Sequence, residues 1–314
     1  MTIVEVPDQT GKVVIITGYR GLAYHSALAL AKANAEIILL ARNVEKAKEN
    51  AEKIKKESNN DKISVEYMDL CKFDTIRSFA KSYIERKKPL HILMNNAGIM
   101  AVKDRQVTED GNELQFQTNY LGHFLLTHLL LPVLKSSAPA RIVCLSSIAH
   151  VMLQASIYKN DINLEKGYTP WKAYCQSKLA CLLFAYEMSR RLVGTNITIN
   201  AVHPGIVDTG LWVHYASNFP LSKSFYNIFE KRVMITPEEG AQTQIYVATS
   251  KECETETGKY YANCKKSTSF NYLSYKKSLH KELYEISLKM TGLEKGIEPE
   301  VSQNEKVEKV ENSN

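Results

Sequence analysis

An α/β fold built on one doubly wound, parallel, seven-stranded sheet is predicted for this 314-residue chain. Three observations predict it. Short β-branched runs alternate with helical stretches, the signature of βαβ units whose sheet is covered on both faces. A glycine-bearing turn directly follows the first run and opens the first helix. No repeat or linker interrupts the alternation, and 44% apolar with 24% charged residues is the make-up of an ordinary globular domain. That composition excludes a wholly disordered, collagenous or coiled-coil chain.

The elements follow in order. VVIIT at 13–17 is the first strand, and an Ala/Leu-rich helix covers 22–34. EIILLA at 36–41 is the second strand, before a Lys/Glu-rich amphipathic helix at 44–57. Strand three is 63–68, with a helix at 74–87, and strand four is 90–95. A long helical span runs from 111 to 136 and leads into strand five at 141–147. A helix at 171–193 precedes strand six at 197–203, and GKYYA at 258–262 supplies the seventh. Two segments break the rhythm. Residues 208–236 are irregular and aromatic, including Trp212, Tyr215 and Phe219, and follow strand six at the carboxyl edge where such sheets bind ligands. Residues 295–314 are polar and charged, too poor in large apolar groups to order themselves, so a disordered tail is expected.

The net charge of +6 suits an anionic ligand or a membrane surface and is too small to argue for nucleic acid. None of the six cysteines forms a Cys-x-x-Cys pair, so zinc has no support, no metal is expected, and buried reduced thiols in a reducing compartment are. The start, MTIVEVPDQTGK, lacks the basic-then-apolar pattern of a signal peptide, and no stretch is apolar for long enough to span a bilayer. A cytoplasmic protein is the expectation.

Candidate chemistry sits at strand ends. Gly18 and Gly21, in Thr17-Gly18-Tyr19-Arg20-Gly21-Leu22-Ala23, let backbone N–H groups approach a pyrophosphate at a helix N-terminus, although an ordinary strand–helix turn would look the same. Strand two ends in Arg42 where an NAD-preferring fold places an acid; with Arg20 nearby, a 2′-phosphate and hence NADP(H) is favoured over NAD, the alternative being a solvated Arg42. Asp69 is placed to take an adenine amino group or to cap a helix. Asn95-Asn96-Ala97-Gly98 fits a backbone running beside a cofactor, and strand five ends in Ser146-Ser147. Tyr174 and Lys178, four apart on one helix, share a face, where an ammonium favours the phenolate and lets the tyrosine move a proton. Other Tyr/Lys pairs share that spacing, but only this one follows the strand ending in Ser146-Ser147.

Over about residues 10–292 these motifs, with Asn119-Tyr120-Leu121-Gly122-His123-Phe124, Ser177-Lys178-Leu179-Ala180, His203-Pro204-Gly205 and Thr209, resemble the short-chain dehydrogenase/reductases, in their retinol-dehydrogenase-like and polyprenol-dehydrogenase-like branch. The resemblance implies a single Rossmann domain over 1–294. It implies Tyr174 as general acid/base, Lys178 on the nicotinamide ribose, Ser147 on the substrate oxygen and Asn119 supporting a water relay to Lys178. Cofactor contacts would come from Gly18, Arg20, Gly21, Leu22, Arg42, Asp69, Asn96, Ala97, Gly98, Tyr174, Lys178, Pro204, Gly205 and Thr209. Hydride would pass to or from an apolar alcohol, aldehyde or ketone such as a retinoid or polyprenoid. Residues 208–236 would form a substrate lid able to touch intracellular membranes, although core packing explains its aromatics equally well. A homodimer would form through 111–136 and 171–193. His123 and His150 read as structural. The chain departs from the family's Thr-Gly-x-x-x-Gly-x-Gly pattern in a loop one residue short and in Ala23 for the last glycine. A cofactor-impaired binding or scaffold protein is therefore the competing expectation.

Overall fold

The computed structural model describes residues 3–207 and 234–293. The expected lid at 208–236 (apart from its last three residues), Thr209 and the tail at 295–314 lie outside the described residues.

One sheet organises the chain, in the order β3-β2-β1-β4-β5-β6-β7-β8. The strands are β1 (Val13–Thr17), β2 (Glu36–Ala41), β3 (Ile63–Tyr67), β4 (Ile92–Asn95), β5 (Ala140–Leu145), β6 (Ile197–His203), β7 (Tyr260–Ala262) and β8 (Lys265–Ser267). Neighbours from β3 to β7 pair in parallel, and β8 pairs antiparallel with β7. The sheet therefore has eight strands rather than seven. The extra edge strand, Lys-Lys-Ser, is exposed throughout and carries no apolar signal. Strand β5 ends at Leu145, so Ser146 and Ser147 lie just beyond it. Strand β4 starts two residues later than expected, at Ile92, and the His91 ring just before it accepts the Val13 N–H at 3.0 Å.

Alternation divides the core. Val13 and Ile15 point to one face of the sheet, Val14 and Ile16 to the other. The first face packs α3 (Phe73–Glu85), α5 (Gly122–Ser136), α6 (Pro170–Arg191) and α8 (Lys277–Thr291). The second packs α1 (Leu22–Lys32), α2 (Val44–Ser58) and α7 (Pro237–Thr249). Local chemistry sets the helix ends. Asn43 caps α2 through the Lys46 N–H, and Thr169 caps α6 ahead of Pro170. Thr236 and Glu239 form a reciprocal capping box on α7. Gly292, at φ +63°, ends α8. The long span expected at 111–136 is compound: a single turn α4 (Leu114–Phe116), a π-helical turn at Gln117–Leu121, then α5. No helix among the described residues is long and apolar enough to cross a membrane.

The strand order reverses between β1 and β4. In such sheets the ligand crevice lies outside the carboxyl ends of the two strands at that reversal.

Candidate active site

One wall of the crevice comes from a tight backbone turn. On the β1 side Gly18 (φ +93°) and Gly21 (φ +54°) take up left-handed conformations that side chains resist. Helix α1 has no side-chain N-cap and no acid in its first turn, so its leading N–H groups suit an anion. The absent loop residue is absorbed by a sharp bend in which the Ala23 N–H donates to Arg20 O at 3.2 Å. Asn50 of α2 braces the bend from outside by donating to Tyr19 O at 2.9 Å. Ala23 is fully buried, and its methyl packs beneath Gly18 with Asn96 and Ala97 rather than facing the crevice. These residues fit a dinucleotide.

Thr17, at the end of β1, ties this wall to the next. Its hydroxyl accepts the N–H groups of Asn96 and Ala97, both at 2.9 Å, and lies 2.8 Å from His123 Nε2. The other ring nitrogen, Nδ1, is 3.0 Å from the Asn119 carbonyl. A carbonyl only accepts, so Nδ1 carries the proton, Nε2 accepts, and the Thr17 hydroxyl is the donor. Burial favours this neutral ring and pulls the His123 pKa down to about 4. His123 is thus a fixed bridge between the glycine turn and Asn119.

Asn119 lies in the π-helical turn, where the ordinary ladder gives way to a Gly122 N–H bond to Gln117 O. Its side chain clamps Ile99 on both sides, accepting the Ile99 N–H at 2.8 Å and donating to the Ile99 carbonyl at 2.9 Å. The same amide donates to Ser177 Oγ at 2.9 Å, and Ser177 donates to the Tyr174 carbonyl at 2.7 Å. The Asn119 carbonyl takes the His123 N–H and the Cys181 S–H, the latter at 3.3 Å. A water on that carbonyl would have to displace the weak thiol donor. Gly98 is needed beside this clamp, since a Cβ there would lie 3.0 Å from Asn119 Oδ1 and 3.5 Å from Lys178 Nζ.

Helix α6 brings Tyr174 and Lys178 to the same place. Lys178 is buried, donates to Leu145 O at 2.9 Å, and sits 5.8 Å from the Tyr174 ring centre. Burial lowers its pKa. Burial also pushes the Tyr174 phenol up to about 12, with the Ser147 hydroxyl pulling the other way. The two serines divide their tasks. Ser146 is buried and donates to the Lys178 carbonyl at 2.8 Å, whereas half-buried Ser147 caps the following turn through the Ala149 N–H and faces Tyr174. Met100, Ala101, Ala149, Ala155 and Trp171 give the phenol an apolar surround.

The remaining expected residues stand around this centre. Arg20 and Arg42 are exposed, Arg42 just beyond β2. Asp69, buried, accepts the Cys71 N–H at 2.9 Å, the role of a turn cap. Leu22 packs with Val207, Ala241 and Ile245 under the crevice. Pro204 and Gly205 follow β6, with Gly205 at φ +92° and the Ile235 side chain only 2.7 Å from where its Cβ would lie. His150 is held between Ser147 O and Ser269 Oγ, a structural place. Sequence reading missed three participants: the bridging role of His123, the Thr17 hydroxyl as its partner, and Gln244 of α7, which donates to Ser26, to Leu22 O and to Asn96 Oδ1. Nothing in local spacing signals contacts between residues this far apart in the chain.

The model of the short chain dehydrogenase family matches residues 12–159 and 161–218. Human polyprenol dehydrogenase is 40% identical over 294 residues, 91% of this chain and 87% of that protein. Mouse retinol dehydrogenase 13 is 43% identical over 259 residues, 80% of this chain and 75% of the relative. Among solved structures, an uncharacterized protein from Mycobacterium paratuberculosis aligns with a TM-score of 0.73 at 29% identity, covering 92% of this chain and 96% of that one. The NADP complex of RhlG from Pseudomonas aeruginosa aligns with a TM-score of 0.65 at 25% identity, covering 81% and 95%.

Proposed function

Because the chain belongs to the short-chain dehydrogenase family, we propose that it is an NADP(H)-dependent oxidoreductase acting on an apolar alcohol, aldehyde or ketone, with Tyr174 as general acid/base. The oxidoreductase class and a nicotinamide cofactor come with the family. The finer reading rests on one observation: Tyr174 and Lys178 lie a helical turn apart, buried beside Ser147 and Asn119 at the mouth of the β1/β4 crevice.

When bound, the cofactor supplies or takes a hydride at its nicotinamide ring. The protein's own residues do the rest. Ser147 holds the substrate oxygen and polarises it by hydrogen bonding. Tyr174 gives that oxygen a proton during reduction and takes one during oxidation. Burial keeps the phenol protonated at neutral pH, the form reduction needs. Reduction should therefore be flat across the neutral range, and oxidation should rise with pH. Lys178 binds the ribose and favours the phenolate by its charge. Asn119 and His123 position the Ile99 backbone and the crevice wall. The N–H groups around Gly18 and Gly21 with Leu22 take the pyrophosphate, and Arg20 and Arg42 take a 2′-phosphate. Asp69, Asn96, Ala97, Gly98, Pro204, Gly205 and Thr209 complete the cofactor contacts.

The apolar surround of Tyr174 and the names of relatives about 40% identical support a lipid-like substrate, retinoid or polyprenoid. A lid over 208–236 and a homodimer packed through α5 and α6 belong to the same reading. A screen of retinal, polyprenal and steroid carbonyls against NADPH oxidation tests it. Turnover of a long apolar carbonyl is expected, and its absence with all three, or equal rates with NADH, would overturn the assignment. The competing scaffold reading predicts no thermal shift with NADPH.

A further inference from the structure

Large apolar side chains stand exposed on two adjoining loops beside the active-site mouth. Ile148, Met152 and Leu153 follow Ser147, and Leu153 is fully exposed. Phe270, Tyr272 and Tyr275 follow β8, with Phe270 87% exposed. The loops are locked together. Asn271 donates to the carbonyls of His150 at 2.7 Å and Ala155 at 3.2 Å, and the His150 ring meets Ser269 Oγ at 3.0 Å. The Tyr275 hydroxyl donates to Ser269 O at 2.7 Å. These tips are therefore held outward by built contacts rather than left outward by a loose chain. An exposed apolar patch of this kind marks an interaction surface.

Its charge indicates the partner. The segment from Lys265 to Lys277 carries Lys265, Lys266, Lys276 and Lys277 and no acid. All four lysines are exposed, and the Lys276 ammonium lies 4.9 Å from the Tyr272 ring centre. Lys265 and Lys277 make no ion pair among the described residues. Apolar tips, amphipathic tyrosines and a lysine fringe together match the boundary of an anionic bilayer. There, apolar side chains enter the acyl region, tyrosines sit at headgroup depth and lysines meet lipid phosphates and carboxylates. An acidic protein would satisfy the lysines but would leave the projecting Leu153 and Phe270 without the deep apolar medium they fit.

We propose that the 148–153 and 265–277 loops form a membrane-docking surface for anionic lipid, presenting the active-site mouth to the bilayer. The proposal does not need the assignment of the reaction, since binding and turnover are read separately. The full-length protein is sedimented with vesicles of phosphatidylcholine alone or doped with phosphatidylserine. Binding is expected to the doped vesicles, to be weak on phosphatidylcholine alone and to fall with added salt. Lys265→Gln with Lys277→Gln should reduce partition about 25-fold, roughly fivefold per lysine. Leu153→Ser with Phe270→Ser should reduce it about tenfold or more. All four side chains are exposed, so melting temperatures and turnover of a water-soluble carbonyl should stay at the wild-type level. Failure of the wild type to bind doped vesicles, or unchanged partition of both double variants, overturns the proposal. Sensitivity to the lysines without sensitivity to Leu153 and Phe270 also overturns it, because the protein would then adsorb by charge alone with no apolar tip in the bilayer. Loss of soluble-carbonyl turnover in the wild type would strike the oxidoreductase reading and leave the vesicle result standing.

Discussion

The two walls of the crevice are built to opposite standards. Around Asn119, Tyr174 and Lys178 nearly every polar atom is buried and spoken for, from Thr17 through His123 to Ser177. At the phosphate turn Tyr19 is half-buried, Arg20 is exposed, and the loop is a residue shorter than its family pattern. A proton-transfer centre depends on fixed positions and a dry surround, so small displacements there are costly. A turn that offers backbone N–H groups to a phosphate needs only the direction of those groups. On the proposed reading, two glycines at positive φ and the uncapped end of α1 supply it. Sequence departures collect where the physical requirement is loosest.

Substitutions can break that contrast, and the largest effect belongs to the buried wall. Tyr174→Phe should lower turnover about 10²–10⁴-fold with NADPH affinity unchanged in a fluorescence titration. Retained turnover would remove Tyr174 as the acid. His123→Ala would remove the Thr17 hydroxyl's short bond to the ring and one bond to the Asn119 carbonyl and leave a cavity, costing about 2–5 kcal/mol in chemical denaturation. The pH dependence carries its own signature. The folded-state pKa of His123 lies near 4 against an ordinary 6.5, so the stability it gives is present above 6.5 and is lost as pH falls toward 4. The gap between wild type and His123→Ala should therefore narrow on acidification.

The exposed wall should respond less. Arg42→Ala should raise KM for NADPH about 10- to 100-fold and leave NADH unaffected, the loss of a charge-assisted contact. Equal change with both cofactors would place the 2′-phosphate elsewhere. Ala23→Gly is the mildest: about 1 kcal/mol of helix stability lost and no gain in NADPH affinity, because the methyl it removes is buried under Gly18. A gain would show that the Ala at this position does hinder the cofactor.

Most of the architecture was legible in the sequence. Strands β1, β2 and β6 fall where their β-branched runs lie, since parallel strands buried on both faces read as continuous apolar segments. Strand β8 was not legible, because an edge strand of lysines and serine is chosen by pairing rather than by burial. Helices α7 and α8 were passed over, although Leu279, Leu283 and Leu288 recur at helical spacing and a capping box opens α7. The Tyr174/Lys178 pair was legible because both residues lie on one helix. Ser146 and Ser147 could be told apart only once the Lys178 carbonyl was seen to take the former. The Thr17–His123 contact spans 106 residues and exists only because β1 and α5 pack side by side.

The π-helical turn at Gln117–Leu121 has a further consequence, one of phase. An inserted residue advances a helix by roughly 100°, so everything after it is rotated relative to what precedes it. Phe116 and Tyr120 before the end of the bulge, and Phe124, Leu130 and Leu134 beyond it, all reach the same core. Deleting any one residue between 117 and 121 would restore regular winding and swing the fifteen residues of α5 out of register with the sheet. This segment should therefore tolerate a change of side chain far better than a change of length.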